Sequence, residues 1–374
     1  MEFIYIFFGA VLLLYVILLL YLLRSESIFT INSESIKEYD VKLSLIAVFR
    51  NEAFNLPNFL NSIEAQDYNP NLFEVLLIND HSEDDSVIII ERFIARTNLN
   101  IRLIHLNKLS KGKKAGIQFA LESSKYDWVL CTDADCILPK NFIKAHANCK
   151  FNSNPLMVIG PVQLIGPKSF LGQFQKLDFM GMQAFTAYSA GMKQPLLCNG
   201  ANLAYDKKIF KELNPYSASY ASGDDMFLMN AVAEKYPSRI HYLNHQEAIV
   251  KTNVSPDWKS FVQQRLRWGG KLRGLRNFTL ILVMSIVFLM HLNLLLLLLL
   301  SGIERVYFYL FLVGFLIKVF MDKRFMLGAF NFFRESHLLS LFLVAQFFQI
   351  FYMGILGVLS NILPYTWKGR KIRD

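Results

Sequence analysis

Apolar positions along this chain fall into two kinds of pattern. FIYIFFGAVLLLYVILLLYLL (3–23) is continuously apolar and uncharged, and as a helix it is long enough to cross about 30 Å of hydrocarbon. TLILVMSIVFLMHLNLLLLLLL (279–300) repeats the pattern, and VYFYLFLVGFLIKVF (306–320) reads as a second C-terminal span. LLSLFLVAQFFQIFYMGILGVLSNIL (338–363) reads as a third, or as a broken or re-entrant segment containing Gln346 and Gln349. Between these regions the pattern is finer. VKLSLIAVF (41–49), FEVLLIND (73–80), IRLIHL (101–106) and YDWVLCTDAD (126–135) are short apolar runs that read as buried strands. Amphipathic stretches ending near Gln66, at 86–96 and at 113–124 alternate with them and read as helices. Continuous apolar strands alternating with helices predict an α/β domain with a mainly parallel sheet covered on both faces. Ligands bind such sheets beyond the carboxyl ends of the strands. Arg50-Asn51-Glu52, Asn79-Asp80-His81 and Asp133-Ala134-Asp135 stand at three of those ends and are expected to converge on one crevice.

The composition fits a membrane protein with a substantial polar domain. Of 374 residues, 53% are hydrophobic, and mean hydropathy is +0.30, too high for an ordinary soluble or a disordered chain. The first apolar run is read as a retained anchor: Glu2 precedes it, it is long, and no A-x-A site follows. Arg24 follows that span, and Arg265, Arg267, Lys271, Arg273 and Arg276 precede the next, which puts the central domain on the cytoplasmic side. The formal charge of +9 is then a matter of topology and attraction to anionic lipid. No basic–aromatic repeat points to nucleic acid. The expected organisation is an anchor at 1–24, a cytoplasmic domain at 25–277, a membrane region of two or three spans at 278–365 and a basic tail at 366–374. Three C-terminal spans would put that basic tail outside, so one of the segments is suspected not to cross. The stretch FMGMQAFTAYSAGM (179–192) is short for a span and reads as a core or membrane-interface helix.

Several polar motifs carry candidate chemistry. Asp133 and Asp135 form a D-x-D at a strand end, a pair that can hold Mg²⁺ or Mn²⁺ together with substrate phosphates, or be a solvated acidic turn. Asp80 is either a turn residue or a carboxylate that hydrogen-bonds a base or ribose. KGKKAG (111–116) puts lysines at a helix start, suited to phosphate or merely a basic loop. SGDDMFLMNAV (222–232) presents Asp224 and Asp225 before a helix, as caps or as a general base. Gln264, Arg267 and Trp268, spaced i, i+3 and i+4, share a face if 261–271 is helical. An amide, a guanidinium and an indole suit a diphosphate and a sugar ring, whereas a juxtamembrane basic helix would explain only the arginines. No G-x-G-x-x-G follows the first strand and no G-K-[ST] loop is present, which argues against dinucleotide and P-loop chemistry.

In their order and spacing, FRNE (49–52), NDHSEDD (79–85), GKKAG (112–116), TDAD (132–135), GDD (223–225) and QRLRW (264–268) resemble the family 2 glycosyltransferases of the GT-A fold. The resemblance covers roughly residues 41–277. It implies that Glu52 and Asp80 hold the uridine of a nucleotide sugar and that Lys114 lies near the diphosphate. Asp133 would contact the nucleotide and Asp135 ligate Mg²⁺ or Mn²⁺, with Asp133 beside it. Asp225 would be the general base of an inverting transfer, with Asp224 next to it, and Gln264, Arg267 and Trp268 would stand at the diphosphate and acceptor end. Two departures are Asn79, where the family often has aspartate, and Asp-Asp in place of the commoner Glu-Asp.

The acceptor is open at this level. Q-x-x-R-W with spans on both sides is similar to processive polysaccharide synthases and to ceramide glucosyltransferases. The small number of C-terminal spans favours a lipid or lipid-linked acceptor over a growing glycan. A non-catalytic protein binding anionic lipid would not need the acidic residues. Cys131, Cys136, Cys149 and Cys198 are expected to be free thiols in a reducing compartment, and those flanking TDAD to be packing residues.

Overall fold

The computed structural model describes residues 2–30, 36–214, 224–271, 277–359, 365–367 and 370–372. Ser222, Gly223, Arg273, Arg276 and part of the basic tail lie outside them. In chain order the elements begin with α1 (Glu2–Leu22), β1 (Leu43–Phe49), α2 (Leu56–Glu64), β2 (Phe73–Asn79), α3 (Ser86–Ile94), β3 (Ile101–His105) and α4 (Lys113–Ser123). There follow β4 (Trp128–Asp133), β5 (Cys136–Ile137), α5 (Phe142–Ser153), β6 (Met157–Ile159), β7 (Val162–Ile165), α6 (Phe170–Gly191), β8 (Leu203–Asp206) and α7 (Lys207–Leu213). The chain continues with α8 (Asp224–Lys235), β9 (Ile240–Tyr242), β10 (Val250–Asn253), α9 (Trp258–Lys271), α10 (Phe278–Leu300), α11 (Arg305–Phe332) and α12 (Phe342–Leu359). A hairpin of β11 (Tyr365–Trp367) and β12 (Arg370–Ile372) comes last.

The described chain forms two compact units: Thr30–Ile165 with Ser189–Val254, and Met1–Phe29 with Gly166–Tyr188 and Ser255–Asp374. The first is an α/β unit. Its seven-stranded sheet has the order β3-β2-β1-β4-β8-β6-β9. The four strands read from the sequence are mutually parallel, with β1 between β2 and β4. β8 runs antiparallel to both β4 and β6, so the sheet is mainly but not wholly parallel. β2 is buried along its whole length and β1 at all but one position, as continuous apolar strands under two layers of helix require. Register fixes what emerges at the sheet's carboxyl edge. Phe49 pairs with Asn79 and Val48 with Asp133. Strands lie about 4.8 Å apart, so Asp80 and Asp133 flank the point where the chain leaves β1. The strand order reverses there, at a topological switch point. A smaller sheet, β5-β10-β7, begins directly after Asp135, so the D-x-D sits in the turn between two sheets.

The second unit is helical. Among the described residues, three stretches are long and apolar enough to cross a membrane: Tyr5–Phe29, Phe278–Leu300 and Ser336–Gly357. The 306–320 run belongs to the longer α11, whose charges keep it out of that set. α11 nevertheless packs against α1 and α10. Gly314 lets Phe8 and Leu294 approach closely, since a Cβ there would come within 2.7 Å of the Phe8 ring. One turn on, Lys318 is fully buried. Its ammonium meets Asp322 Oδ2 at 2.7 Å, Gln349 Oε1 at 3.2 Å, and the Gln346 amide oxygen. The Tyr15 hydroxyl donates to the other Asp322 oxygen. The three donors of a lysine thus find three acceptors. Gln346 and Gln349, polar breaks in the last apolar run, are explained by this cation. The 179–192 stretch is the C-terminal part of the 22-residue helix α6.

Candidate active site

The α/β unit gathers most of the candidate residues at the carboxyl edge of its sheet. After β1 the chain turns through Asn51, at φ 52, and Arg50 reaches back to donate to the carbonyls of Asp80 (3.1 Å) and His81 (2.9 Å). Glu52 is buried. Its N–H donates to Ser86 Oγ at 2.8 Å, and its Oε2 accepts from Asn55 Nδ2 at 2.7 Å. Asp80 is almost wholly buried, and its Oδ1 accepts the N–H of Gly112 at 3.0 Å. Gly112 holds φ at +91°, a conformation that L side chains rarely adopt, and α4 starts at the next residue. Asp80 therefore anchors the start of the lysine-bearing helix.

Asn79 is built into the turn after β2. Its Oδ1 accepts the Ser82 N–H at 2.8 Å while its Nδ2 lies 3.0 Å from His105 Nδ1. Its amide supplies both an acceptor and a donor there.

Lys113 makes a contact with the D-x-D: its ammonium pairs with Asp133 Oδ1. Lys114 follows it in the first turn of α4. Asp133 and Asp135 are both part-exposed, with buried Ala134 between them. Cys136 Sγ lies 3.6 Å from Asp135 Oδ1, and burial, then the neighbouring Asp135 and Asp133 charges, push the Cys136 thiol well above its ordinary value. A thiol held protonated packs rather than reacts. The described cysteines are free, and Cys131 and Cys136 are buried.

Asp225, on the first turn of α8, is buried. Its Oδ2 accepts the Gly200 N–H at 3.0 Å and its Oδ1 the Met226 N–H at 3.0 Å. Asp224 opens the same helix; its side chain lies outside the described residues. A Cβ built on Gly200 would lie 3.1 Å from Lys113 Nζ and 3.4 Å from Asp225 Oδ2. Gly200 thus sits between the lysine that holds the D-x-D and the carboxylate of the GDD motif. Gly200 belongs to the stretch CNGAN (198–202), whose Asn-Gly pair is the local signal of a turn. Asn202 ties it down, donating to the carbonyls of Pro161 (2.8 Å) and Ala248 (2.9 Å) and bonding His146 Nε2 at 2.8 Å. Burial pushes the His146 imidazole down to about 4.

Gln264, Arg267 and Trp268 lie on α9, in the helical unit, and 261–271 is helical as the spacing required. Arg265, counted from the sequence among the charges flanking a span, is instead buried against Asp178.

The donor set fits a divalent cation in kind. Two part-exposed carboxylates on one turn supply hard oxygen ligands, and no cluster of three or more His, Cys, Asp or Glu forms a closed cage among the described residues. Such a partial set suits Mg²⁺ or Mn²⁺ completed by phosphate oxygens.

Comparison with known proteins agrees with this architecture. The Glycosyl transferase family 2 model matches residues 44–213. A poly-β-1,6-N-acetyl-D-glucosamine synthase of Staphylococcus epidermidis is 22% identical over 246 residues, 63% of this chain and 56% of the relative. An undecaprenyl-phosphate 4-deoxy-4-formamido-L-arabinose transferase of Pseudomonas syringae is 33% identical over 101 residues, 26% of this chain and 30% of the relative. The chain thus spans less than two thirds of either relative's length. Among solved structures, a mannosyltransferase from Pyrobaculum calidifontis in complex with GDP-Man and Mn²⁺ superposes with a TM-score of 0.56 at 14% identity, covering 94% of this chain and 99% of that one. Residues 44–213 thus form a domain that matches the Glycosyl transferase family 2 model, and the mainly parallel sheet with its acidic cluster at the carboxyl edge has the GT-A fold.

Proposed function

We propose that this glycosyltransferase moves a sugar from a UDP-linked donor to a hydroxyl of a membrane lipid or lipid-linked acceptor at the cytoplasmic face, with inversion at the anomeric carbon. The observation that carries the reading is the juxtaposition of Asp80, Lys113, Asp133, Gly200 and Asp225 at one edge of the sheet. Glu52 and Asp80 offer carboxylate acceptors for the uridine, and Lys113 and Lys114 offer cations for the diphosphate. Asp133 and Asp135 would hold Mg²⁺ or Mn²⁺, which when bound neutralises charge on the leaving diphosphate. Arg267 and Gln264 would add charge and hydrogen bonds there, and Trp268 a face for a sugar ring. Asp225, oriented by two backbone N–H groups, would take the proton of the acceptor hydroxyl as it attacks from the face opposite the departing nucleotide. A single displacement needs no covalent sugar–enzyme intermediate, hence inversion.

The P. syringae relative, named for transfer to undecaprenyl phosphate, supports a lipid-linked acceptor. A processive synthase is the second reading, favoured by the longer match to the S. epidermidis polysaccharide synthase. A non-catalytic lipid-binding protein is the alternative of a different class. The test is a screen of UDP-glucose, UDP-galactose and UDP-N-acetylglucosamine with Mn²⁺ on membranes holding the full chain, read by UDP release and product mass. One sugar on a lipid supports the first reading and a ladder of masses the second. Background release with every donor would count against any transferase.

A further inference from the structure

Asp178 of α6 and Arg265 of α9 form a buried ion pair in the helical unit. Arg265 Nη2 lies 2.7 Å from Asp178 Oδ2, and both side chains are more than nine-tenths buried. The Arg265 guanidinium carbon is 4.1 Å from the centroid of the Trp268 ring and 4.8 Å from that of Phe261. Its Nη1 donates to Gln264 Oε1 at 3.4 Å. Tyr352 of α12 lies beside both members of the pair, and its ring stacks on Phe261 at 5.4 Å. Arg265, which is not part of the Q-x-x-R-W signature, therefore touches two of the signature's three residues.

Three physical points bear on its role. A buried ion pair is a weak device for stability, because its desolvation cost offsets its attraction; its best-attested use is to fix a register. Arginine suits this place and lysine does not, since only a planar guanidinium can lie against an indole while reaching a carboxylate. Arg265 also has few spare partners: among the described residues its Nε finds no hydrogen-bond acceptor. Its orientation is set by Asp178 on one side and the rings on the other.

We propose that Asp178 and Arg265 are positioning residues for sugar transfer. They fix the rotation of α9 and the plane of the Trp268 ring, and through them the Gln264 amide, without touching substrate. This rests on the reading that Gln264 and Trp268 serve the donor diphosphate and the acceptor.

The test uses the full chain, the UDP-sugar active in the screen, calorimetry with UDP and Mn²⁺, and the emission of Trp268 in a background with Trp128, Trp258 and Trp367 replaced by Phe. Asp178→Asn is expected to lower transfer about tenfold to a hundredfold, the scale of a misplaced group. It should raise the acceptor KM, weaken UDP binding several-fold through the misplaced Gln264 amide, and shift Trp268 emission to the red. Asp178→Glu should restore transfer. Leu266→Ala, a buried change on the same helix, controls for loosened packing. It should move neither the acceptor KM nor the emission. If Asp178→Asn does not fold, Arg265→Lys, which keeps the charge and loses the plane, is expected to give the same kinetic pattern. Identical behaviour of Asp178→Asn and Leu266→Ala would overturn the proposal, as would full transfer by Asp178→Asn or, in its stead, by Arg265→Lys. If Trp268→Ala transfers at full rate, the reading of the motif fails and the proposal with it. If Trp268→Ala is crippled and Asp178→Asn is not, the proposal alone fails.

Discussion

The backbone N–H of Gly200 donates to Asp225 Oδ2 across 3.0 Å, while the Asp225 side chain's other oxygen takes the N–H of Met226. The carboxylate thus takes a backbone N–H on each of its oxygens. Asp225→Asn keeps the volume and removes the base. It is expected to lower kcat by about 10²–10⁴ with the donor KM within about twofold, and to lower the melting temperature modestly, because its amide NH2 replaces one of the two oxygens that accept a backbone N–H. Steady-state UDP release and thermal unfolding in detergent check this. Equal kcat in the two proteins would remove Asp225 from the base role.

The two lysines of KGKKAG should separate cleanly. Lys113 pairs with Asp133 and sits against Gly200, so Lys113→Met strips a cation from the centre of the acidic cluster. Its UDP affinity should fall about tenfold, one charge-assisted contact's worth, and by clearly more than that of Lys114→Met. Calorimetry with UDP and Mn²⁺ measures both, and the reverse ranking would return the role to Lys114.

His146 gives the α/β unit a pH dependence. Its folded value is pushed down to about 4 by burial, from an ordinary 6.5. As pH falls from about 6.5 towards 4 the unfolded chain takes up a proton that the folded chain refuses. Stability present above pH 6.5 is therefore lost through that window, on the order of 3 kcal/mol in all. Melting temperatures between pH 7.5 and 4.5 should decline more steeply for the wild type than for His146→Asn. Parallel curves would contradict the assignment.

The Lys318–Asp322 pair should show the asymmetry of buried ions. Lys318→Met leaves Asp322 with the Tyr15 hydroxyl but no counter-ion, at a cost of about 3–5 kcal/mol. Lys318→Met with Asp322→Leu removes both charges and should recover most of that loss. Thermal unfolding of the singles and the double in one detergent closes the cycle. A double variant no better than its worse single would show that the charges are not paired in the folded protein.

Much of this molecule is legible in its sequence, for reasons that differ by element. β1, β2 and β4 announce themselves because buried strands must be continuously apolar, and their ends name Asp80 and Asp133 because polar residues there break the apolar run where the strands open onto the crevice. The α9 helix follows from the spacing of Gln264, Arg267 and Trp268. The cysteines around TDAD proved free and buried, as packing residues should be. Other features depend on contacts between residues far apart in the chain. That Lys113 reaches Asp133 depends on how the backbone turns at Gly112, where α4 begins. Arg265 counts as one more positive charge beside a span until Asp178, 87 residues earlier, comes to lie against it. CNGAN reads as an ordinary turn until Asn202 is seen joining Pro161, Ala248 and His146.

The cation in the middle of α11 also bears on how the protein is made. A lone α11 would carry Lys318 and Asp322 at its centre without most of the groups that complete them. The groups that complete those charges come from Tyr15, synthesised some 300 residues earlier, and from Gln346 and Gln349, synthesised later. Biogenesis must then hold α11 in company, beside α1 and α10, until α12 emerges. A chain stopped before Gln346 would leave the Lys318 ammonium short of two of its three acceptors.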